Sequence, residues 1–153
     1  MNQALTPNER ETLAVTEPLT ISYVDQPAWG VIGPAIDEYN RSRAGDDNAQ
    51  TLCFVLQAPD HEEILGGVIG ATYWDWLQID LMWVKEDLRG RGFGRRLLEL
   101  AEEAARERGA TRSHLDTFSF QAPDFYAANG YEVFGELTDY PGQHSRYYFS
   151  KKL

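Results

Sequence analysis

A single cysteine, Cys53, stands in the whole chain, so no intrachain disulfide can form. Its apolar neighbours predict a thiol packed in the core. No stretch approaches the roughly 18 consecutive apolar residues of a membrane span. The first residues, MNQALTPNERETLAVTEP, have neither a basic region nor an apolar core, so no signal peptide and a cytoplasmic location are expected. Positive charge is scarce, with 14 Lys and Arg against 24 Asp and Glu and a formal net charge of −10. That balance argues against nucleic acid as the main partner, because a surface that tracks phosphates needs clustered positive charge. His61, His114 and His144 fall in a loop, a strand and a turn, with no Cys or Asp at ligand spacing, so no metal site is expected. There are no internal repeats or low-complexity tracts. With 153 residues, 42% of them hydrophobic, the expectation is one domain over 1–153, its first 17 residues flexible.

What the chain does have is concentrated between Gln78 and Leu100. Gln78–Val84 carries no charge except Asp80 and reads as a buried strand with one polar intrusion. From Phe93 onward, Leu97, Leu98, Ala101, Ala104 and Ala105 recur at helical spacing, with Arg95, Arg96, Glu99, Glu102 and Glu103 between them. Between strand and helix lies Arg89-Gly90-Arg91-Gly92-Phe93-Gly94. Its glycines permit a tight turn, and the N–H groups of the first helical turn have no partner within the helix, which makes the segment a candidate anion cradle. The alternative is a glycine-rich surface turn with solvated arginines. A Walker loop is disfavoured, since Arg95 and Arg96 follow Gly94 where Lys and then Ser or Thr are needed. A dinucleotide fingerprint fails too, because the spacing is G-x-G-x-G and the charged link Lys85–Arg89 separates it from the strand. Arg89, Arg91, Arg95 and Arg96 crowd this loop in an otherwise acidic chain, which suits a polyanionic ligand.

In chain order, Leu19–Tyr23 alternates and predicts an edge strand. A helix is expected from Asp25-Gln26-Pro27 to about Arg43, with Trp29, Ile32, Ile36 and Tyr39 on one face. Ala44–Gln50 reads as a solvated loop. Thr51–Leu56 and Ile64–Tyr73 form a hairpin, and Trp74-Asp75-Trp76 turns the chain into Gln78–Val84. After the helix ending near Gly109, Thr111–Thr117 is a strand parallel to Gln78–Val84. A short helix at Ala122–Ala128 and strands at Tyr131–Leu137 and Ser145–Lys151 complete the chain.

Val84–Leu97, VKEDLRGRGFGRRL, resembles the acetyl-CoA motif of the GNAT superfamily of N-acyltransferases, with Arg89, Gly92 and Gly94 in its defining places. Phe125-Tyr126-Ala127-Ala128-Asn129-Gly130-Tyr131 resembles that family's second block, in the expected order. The resemblance covers about Thr51 to the end and is closest to small-molecule N-acetyltransferases of bacteria. It implies a mixed α/β fold, its sheet mostly antiparallel with one parallel, splayed strand pair and helices on both faces. It also implies acetyl-CoA as cosubstrate and the primary amine of a small molecule as acceptor; the chain's remaining negative charge favours a cationic amine, with simple solubility charge as the alternative. A homodimer through the last two strands is a candidate assembly.

Residue by residue, the resemblance lays the pantetheine arm along Leu81–Val84, with the backbone near Met82 polarising the thioester and Trp83 and Val84 beside it. Backbone N–H groups of Arg89, Gly90, Arg91, Gly92, Phe93 and Gly94 would take the pyrophosphate, assisted by Arg89, Arg91 or Arg95. Tyr126 is the expected general acid toward the departing thiolate; the alternative is an aromatic packed under the C-terminal hairpin. Asn129 would bind the cosubstrate's arm or cap the short helix. Some relatives place a glutamate base near the position of Gln78; this chain offers Asp80 instead, with Asp116 and Glu136 in reserve, direct loss of the proton to water as another route, and satisfaction of a backbone group as the alternative for Asp80. Trp29, Tyr39, Trp74 and Trp76 could wall an acceptor pocket, with core packing the default. Two other functions stay open, an acyl-CoA-binding domain without turnover and a peptide or lysine acetyltransferase.

Overall fold

Apolar residues that recur at every second position bury one side of a strand and leave the other to polar or aromatic groups. Ile64–Tyr73 alternates in burial along its length and Trp76–Val84 does so as far as Ile79, and each is the antiparallel neighbour of the strand before it. The computed structural model describes residues 18–153. The expectation of a flexible start through Glu17 lies outside the described residues. The chain divides into two compact units, with the boundary between Tyr39 and Asn40.

In the first unit, residues 18–28 have no regular secondary structure, and helix α1 (Trp29–Ala44) begins there and crosses the boundary. The edge strand expected at Leu19–Tyr23 is therefore absent. Alternation supplies two faces but no hydrogen-bond partner, and a strand needs both. The helix starts at Trp29, two residues after Pro27.

The second unit is a sheet of six strands: β1 (Gln50–Gln57), β2 (Ile64–Tyr73), β3 (Trp76–Val84), β4 (Arg112–Phe118), β5 (Glu132–Leu137) and β6 (Arg146–Lys152). Their spatial order is β1-β2-β3-β4-β6-β5, and β3 with β4 is the single parallel pair. A one-turn 3-10 helix at Glu86–Leu88 leads from β3 to helix α2 (Phe93–Glu107), and helix α3 (Pro123–Ala128) follows β4. Leu97, Leu98, Ala101 and Ala105 of α2 pack with Leu52, Val68, Leu77, Ile79, Leu115 and Phe149 of the strands and with Tyr126 of α3. Both helices thus serve one core on one face of the sheet. Glu102 of α2 is buried there, and Lys151 of β6 donates to both its oxygens at 2.8 Å, while Tyr131 donates to the same carboxylate at 3.2 Å. That carboxylate ties α2 to the far side of the sheet.

One irregularity decides which residues of β3 face where. In the β2–β3 register Ile69 pairs with Leu81 while Gly70 pairs with Ile79, so Asp80 is an extra residue without a partner, a β-bulge. The extra residue shifts the alternation by one. Leu77 and Ile79 are buried before the bulge, and Met82 and Val84 pack against the same core after it, whereas Leu81 and Trp83 are 67% and 51% exposed. The expectation of a strand buried throughout is corrected accordingly. The bulge also explains Gly70, because a Cβ there would overlap the carbonyl oxygen of Gln78.

Cys53 is exposed, against the expectation of a core thiol. The alternation of β1 gives the interior Leu52 and, in part, Phe54 and Leu56, so the residue between them points outward. Trp74 and Trp76 are not core residues either, and flank Asp75 in the β2–β3 turn.

Candidate active site

β3 and β4 run side by side for three residue pairs only, Trp76 with Arg112, Leu77 with Ser113 and Gln78 with His114. Beyond Gln78 the two strands have no further pairing, so the edge of β3 from Asp80 to Val84 that faces β4 carries backbone groups with no ladder partner. β3 remains paired with β2 on its other side as far as Val84 with Gly66, which keeps that edge straight and presented. Such a wedge holds hydrogen-bonding groups for a ligand that supplies amides of its own.

The wedge is capped by the glycine loop. Gly90 and Gly92 take φ of 72° and 88°, which favour glycine, and a Cβ at either would have no other described protein atom within 4 Å, so both positions are open on that side. Gly92 is the N-cap of α2, and Arg96 is the first residue of the helix to bond back, to the Gly92 carbonyl at 3.0 Å. The Arg89 N–H, expected in the cradle, is instead taken by the Glu86 carbonyl at 3.1 Å, while among the described residues no protein acceptor takes the N–H groups from Gly90 to Arg95, at the positive end of the helix dipole. Gly94 sits over Met82 and Phe125, whose atoms lie 3.6 Å from where its Cβ would be, so the core face of β3 supports the cradle from beneath.

The arginines divide by role. Arg89 turns back and donates from Nε to the Val84 carbonyl at 3.0 Å, which closes the loop onto the end of β3. Arg91 lies over the Phe93 ring at 5.6 Å. Arg95 donates to Glu99 at 2.9 Å in a solvent-exposed pair on α2, and that pair holds the Glu99 carboxyl below its ordinary range.

Tyr126 on α3 is buried in an aromatic cluster with Phe125, Tyr131 and Phe149. Burial, and secondarily the charge of Asp116, push its hydroxyl up to about 12. Among the described residues no group accepts from that hydroxyl, and no fully buried polar side-chain atom lacks a partner, so the oxygen keeps some contact with solvent. Asn129 is the C-cap of α3, and its side chain donates to the Phe125 carbonyl at 2.7 Å, which gives it the capping role and leaves its amide oxygen and one N–H for a ligand.

Of the three candidate bases, Asp116 is ion-paired with Arg146 at 2.6 Å, and Glu136 accepts from Ser145 at 2.6 Å. Among the described residues Asp80 meets no cation and accepts one hydrogen bond, from Nε2 of Gln78 at 2.6 Å; that bond comes from a side chain and not from the backbone of the split sheet. Gln78 in turn accepts from Tyr73 at 2.8 Å, and the Tyr73 hydroxyl lies 2.8 Å from Nε2 of His114. Burial is the main cause that lowers the His114 pKa from its usual value, and it is also the main cause that raises that of Tyr73. Tyr73 and His114 were not singled out from the sequence. Strand parity places His114 beside Asp116 on one face of β4, but only the cross-strand register brings it to Gln78.

Comparison with known proteins fits this geometry. Residues 20–131 match the model of the acetyltransferase (GNAT) family. The chain belongs to that family. It is 41% identical over 109 residues to blasticidin-S acetyltransferase of Streptomyces morookaense, covering 71% of this chain and 80% of that protein. Among solved structures, an acetyltransferase from Bacillus cereus superposes with a TM-score of 0.79 at 33% identity, over 86% of this chain and 98% of that one. Nourseothricin acetyltransferase superposes with a TM-score of 0.56 at 31% identity, over 67% and 65%. The protein is therefore an acetyltransferase of GNAT fold, and acetyl-CoA is the cosubstrate of its family. The fold expected from the glycine loop and the Phe125–Tyr131 block is the fold observed: one parallel pair, and it splays. The free N–H groups of the loop and the open space at Gly90 and Gly92 fit a pyrophosphate.

Proposed function

We propose that the protein transfers the acetyl group of acetyl-CoA directly to the primary amine of a small, cationic molecule. The observation that carries this reading is the end of the β3–β4 ladder at Gln78 and His114, with Asp80, a carboxylate that meets no cation among the described residues, at the splay; Tyr126 adds a hydroxyl that stays protonated at neutral pH. Acetyl-CoA supplies an activated acyl group; the chain's own residues do the rest. N–H groups from Gly90 to Gly94 bind the pyrophosphate, with Arg89, Arg91 and Arg95 adding charge, and the free edge at Met82, Trp83 and Val84 aligns the pantetheine arm. The amide oxygen of Asn129 borders the same arm. Asp80 takes the proton that an ammonium group must lose before its nitrogen can attack. Tyr126 donates to the sulfur as charge builds on it. Because its pKa of about 12 lies above the roughly 8.5 of an ordinary thiol, complete transfer would be uphill by about 5 kcal/mol. The hydroxyl stabilises the departing thiolate by sharing its proton while the C–S bond breaks, and the proton that the attacking nitrogen sheds as the amide forms ends on the CoA sulfur.

A cationic acceptor is supported by the net charge of −10, by Asp80 at the splay, and by relatives named for acetylating blasticidin S and nourseothricin. The same charge argues against a nucleic-acid partner. We read 1–153 as one domain, since the family match runs through the boundary at Tyr39. No helix among the described residues is long and apolar enough to cross a membrane. An exposed, unpaired Cys53 suits a reducing, cytoplasmic compartment. A homodimer through the β5–β6 side completes the proposal, supported by the exposed Val133, Phe134 and Leu137.

The test measures release of free CoA thiol from acetyl-CoA with a panel of cationic primary amines, including blasticidin S, and peptides with free N-termini. Turnover with small amines and not with peptides is expected. Peptide-only turnover would make the acceptor a protein. No amine raising thiol release above hydrolysis would leave an acyl-CoA-binding domain without catalysis.

A further inference from the structure

Asp80 occupies the bulge, where the ladder does not hold its backbone, and it is exposed. A general base in such a place needs something else to aim it. The structure supplies a chain of side chains from three strands, and the hydrogen-bonding inventory fixes its direction. A carboxylate only accepts, so the Gln78 atom 2.6 Å from Asp80 Oδ1 is the amide nitrogen. The Gln78 oxygen is therefore the end that meets Tyr73, and it needs a donor. The single proton of the Tyr73 hydroxyl goes to it. What Tyr73 receives from His114 at 2.8 Å must then be the proton on Nε2. The bonds run one way, from His114 to Tyr73 to Gln78 to Asp80.

We infer that His114, Tyr73 and Gln78 are positioning residues that hold the Asp80 carboxylate in one orientation, Oδ1 engaged and Oδ2 turned to the acceptor amine. This rests on the reading of Asp80 as the base. The chain is an orienting device and not a proton wire, because the amide of Gln78 carries no exchangeable charge at neutral pH. Its first member is fixed in turn by its surroundings. The His114 ring packs edge-on to Trp76 at 5.6 Å and to Tyr73 at 6.3 Å, and Arg112 lies over Trp76 at 5.4 Å. The position of the chain is also fixed, since Gln78 and His114 are the last paired residues before the strands part. The device therefore sits at the hinge of the wedge, where a small rotation of Asp80 would move its free oxygen toward or away from the acceptor. Networks of this kind are cooperative, so loss of a middle member should release the whole.

Two measurements test it. The first is the imidazole 15N spectrum of the parent at neutral pH, which should show His114 with its proton on Nε2; a proton on Nδ1 alone would overturn the direction of the chain. The second compares two acceptors, 1,3-diaminopropane, whose amines are protonated at neutral pH, and hydroxylamine, which is not and needs no base. Asp80→Asn should lose at least about 100-fold in kcat with the diamine and far less with hydroxylamine, as removal of a general base requires. Tyr73→Phe should lose about 10-fold with the diamine only, with KM for acetyl-CoA unchanged, and should add nothing to Asp80→Asn. His114→Gln keeps a donor at the position of Nε2 and should retain the diamine rate that His114→Leu loses. If Asp80→Asn shows the selective loss while Tyr73→Phe and His114→Leu match the parent, the positioning chain is wrong and the base stands. Should Asp80→Asn lose nothing, or lose equally with both acceptors, the base reading falls and the chain's role falls with it.

Discussion

Replacing Tyr126 by Phe keeps the ring in its cluster with Phe125, Tyr131 and Phe149 and removes only the hydroxyl. Loss should fall on kcat, by roughly 100-fold to 10,000-fold, with acetyl-CoA affinity nearly constant, since charge reaches the sulfur only in the transition state. An acyl donor whose thiol leaves as a weaker base should shrink the defect; equal defects for both donors would reduce Tyr126 to packing. An ordinary tyrosine ionises near 10, but Tyr126 keeps its proton up to about 12. The kcat/KM profile should accordingly show no descending limb that Tyr126→Phe abolishes below about pH 11. Gly92 makes the complementary prediction for binding. At a φ of 88° it tolerates a side chain poorly, and Glu there brings negative charge to the proposed site of the pyrophosphate. Calorimetry should find acetyl-CoA binding abolished in Gly92→Glu at unchanged circular dichroism, and equal affinity in both proteins would remove the pyrophosphate from this loop.

At the scale of elements, the bulge in β3 does the most. It lets a single strand bury Leu77 and Ile79, then Met82 and Val84, while turning Gln78 and Asp80 to the other face, where they hydrogen-bond to each other. It requires a glycine opposite, because the carbonyl of Gln78 occupies the space a side chain would take at Gly70. Gly70→Ala should force the two strands apart locally. Unfolding free energy should fall by about 1 to 3 kcal/mol, as for other overpacked sites, and kcat with a protonated amine should fall with it, because Asp80 moves with the bulge. Chemical denaturation and the thiol-release assay check both. A variant of parental stability would show that the strands accommodate the methyl group.

For the whole molecule, the β5–β6 side is where a second copy would meet this chain. β5 is the edge of the sheet and pairs only with β6, and it presents Val133, Phe134 and Leu137 outward. An apolar sheet edge is an exposure that proteins ordinarily cover or blunt. Sedimentation should give a mass near twice 17.4 kDa. A monomer at high concentration would leave that edge to some other use.

Sequence alone determined the order of the elements from Thr51 to the end, because period and breakers are local properties. The glycine loop, the helix from Phe93 and the block around Tyr126 were legible as residues in a row. It also determined that a parallel pair must form across α2, since a helix returning to the same sheet leaves no antiparallel route. Tertiary structure alone decided what crosses between strands. A bulge is a mismatch between two partners, so Asp80 could not be recognised as an extra residue until β2 was laid beside β3. Cys53 and Leu19–Tyr23 failed for the same reason, since whether an apolar stretch is buried or paired depends on which neighbour arrives. Asp80, Asp116 and Glu136 looked alike as carboxylates near one opening. The arrival of Arg146 at Asp116, Ser145 at Glu136 and Gln78 at Asp80 told them apart, and each of those partners is placed by register and turn geometry, not by sequence.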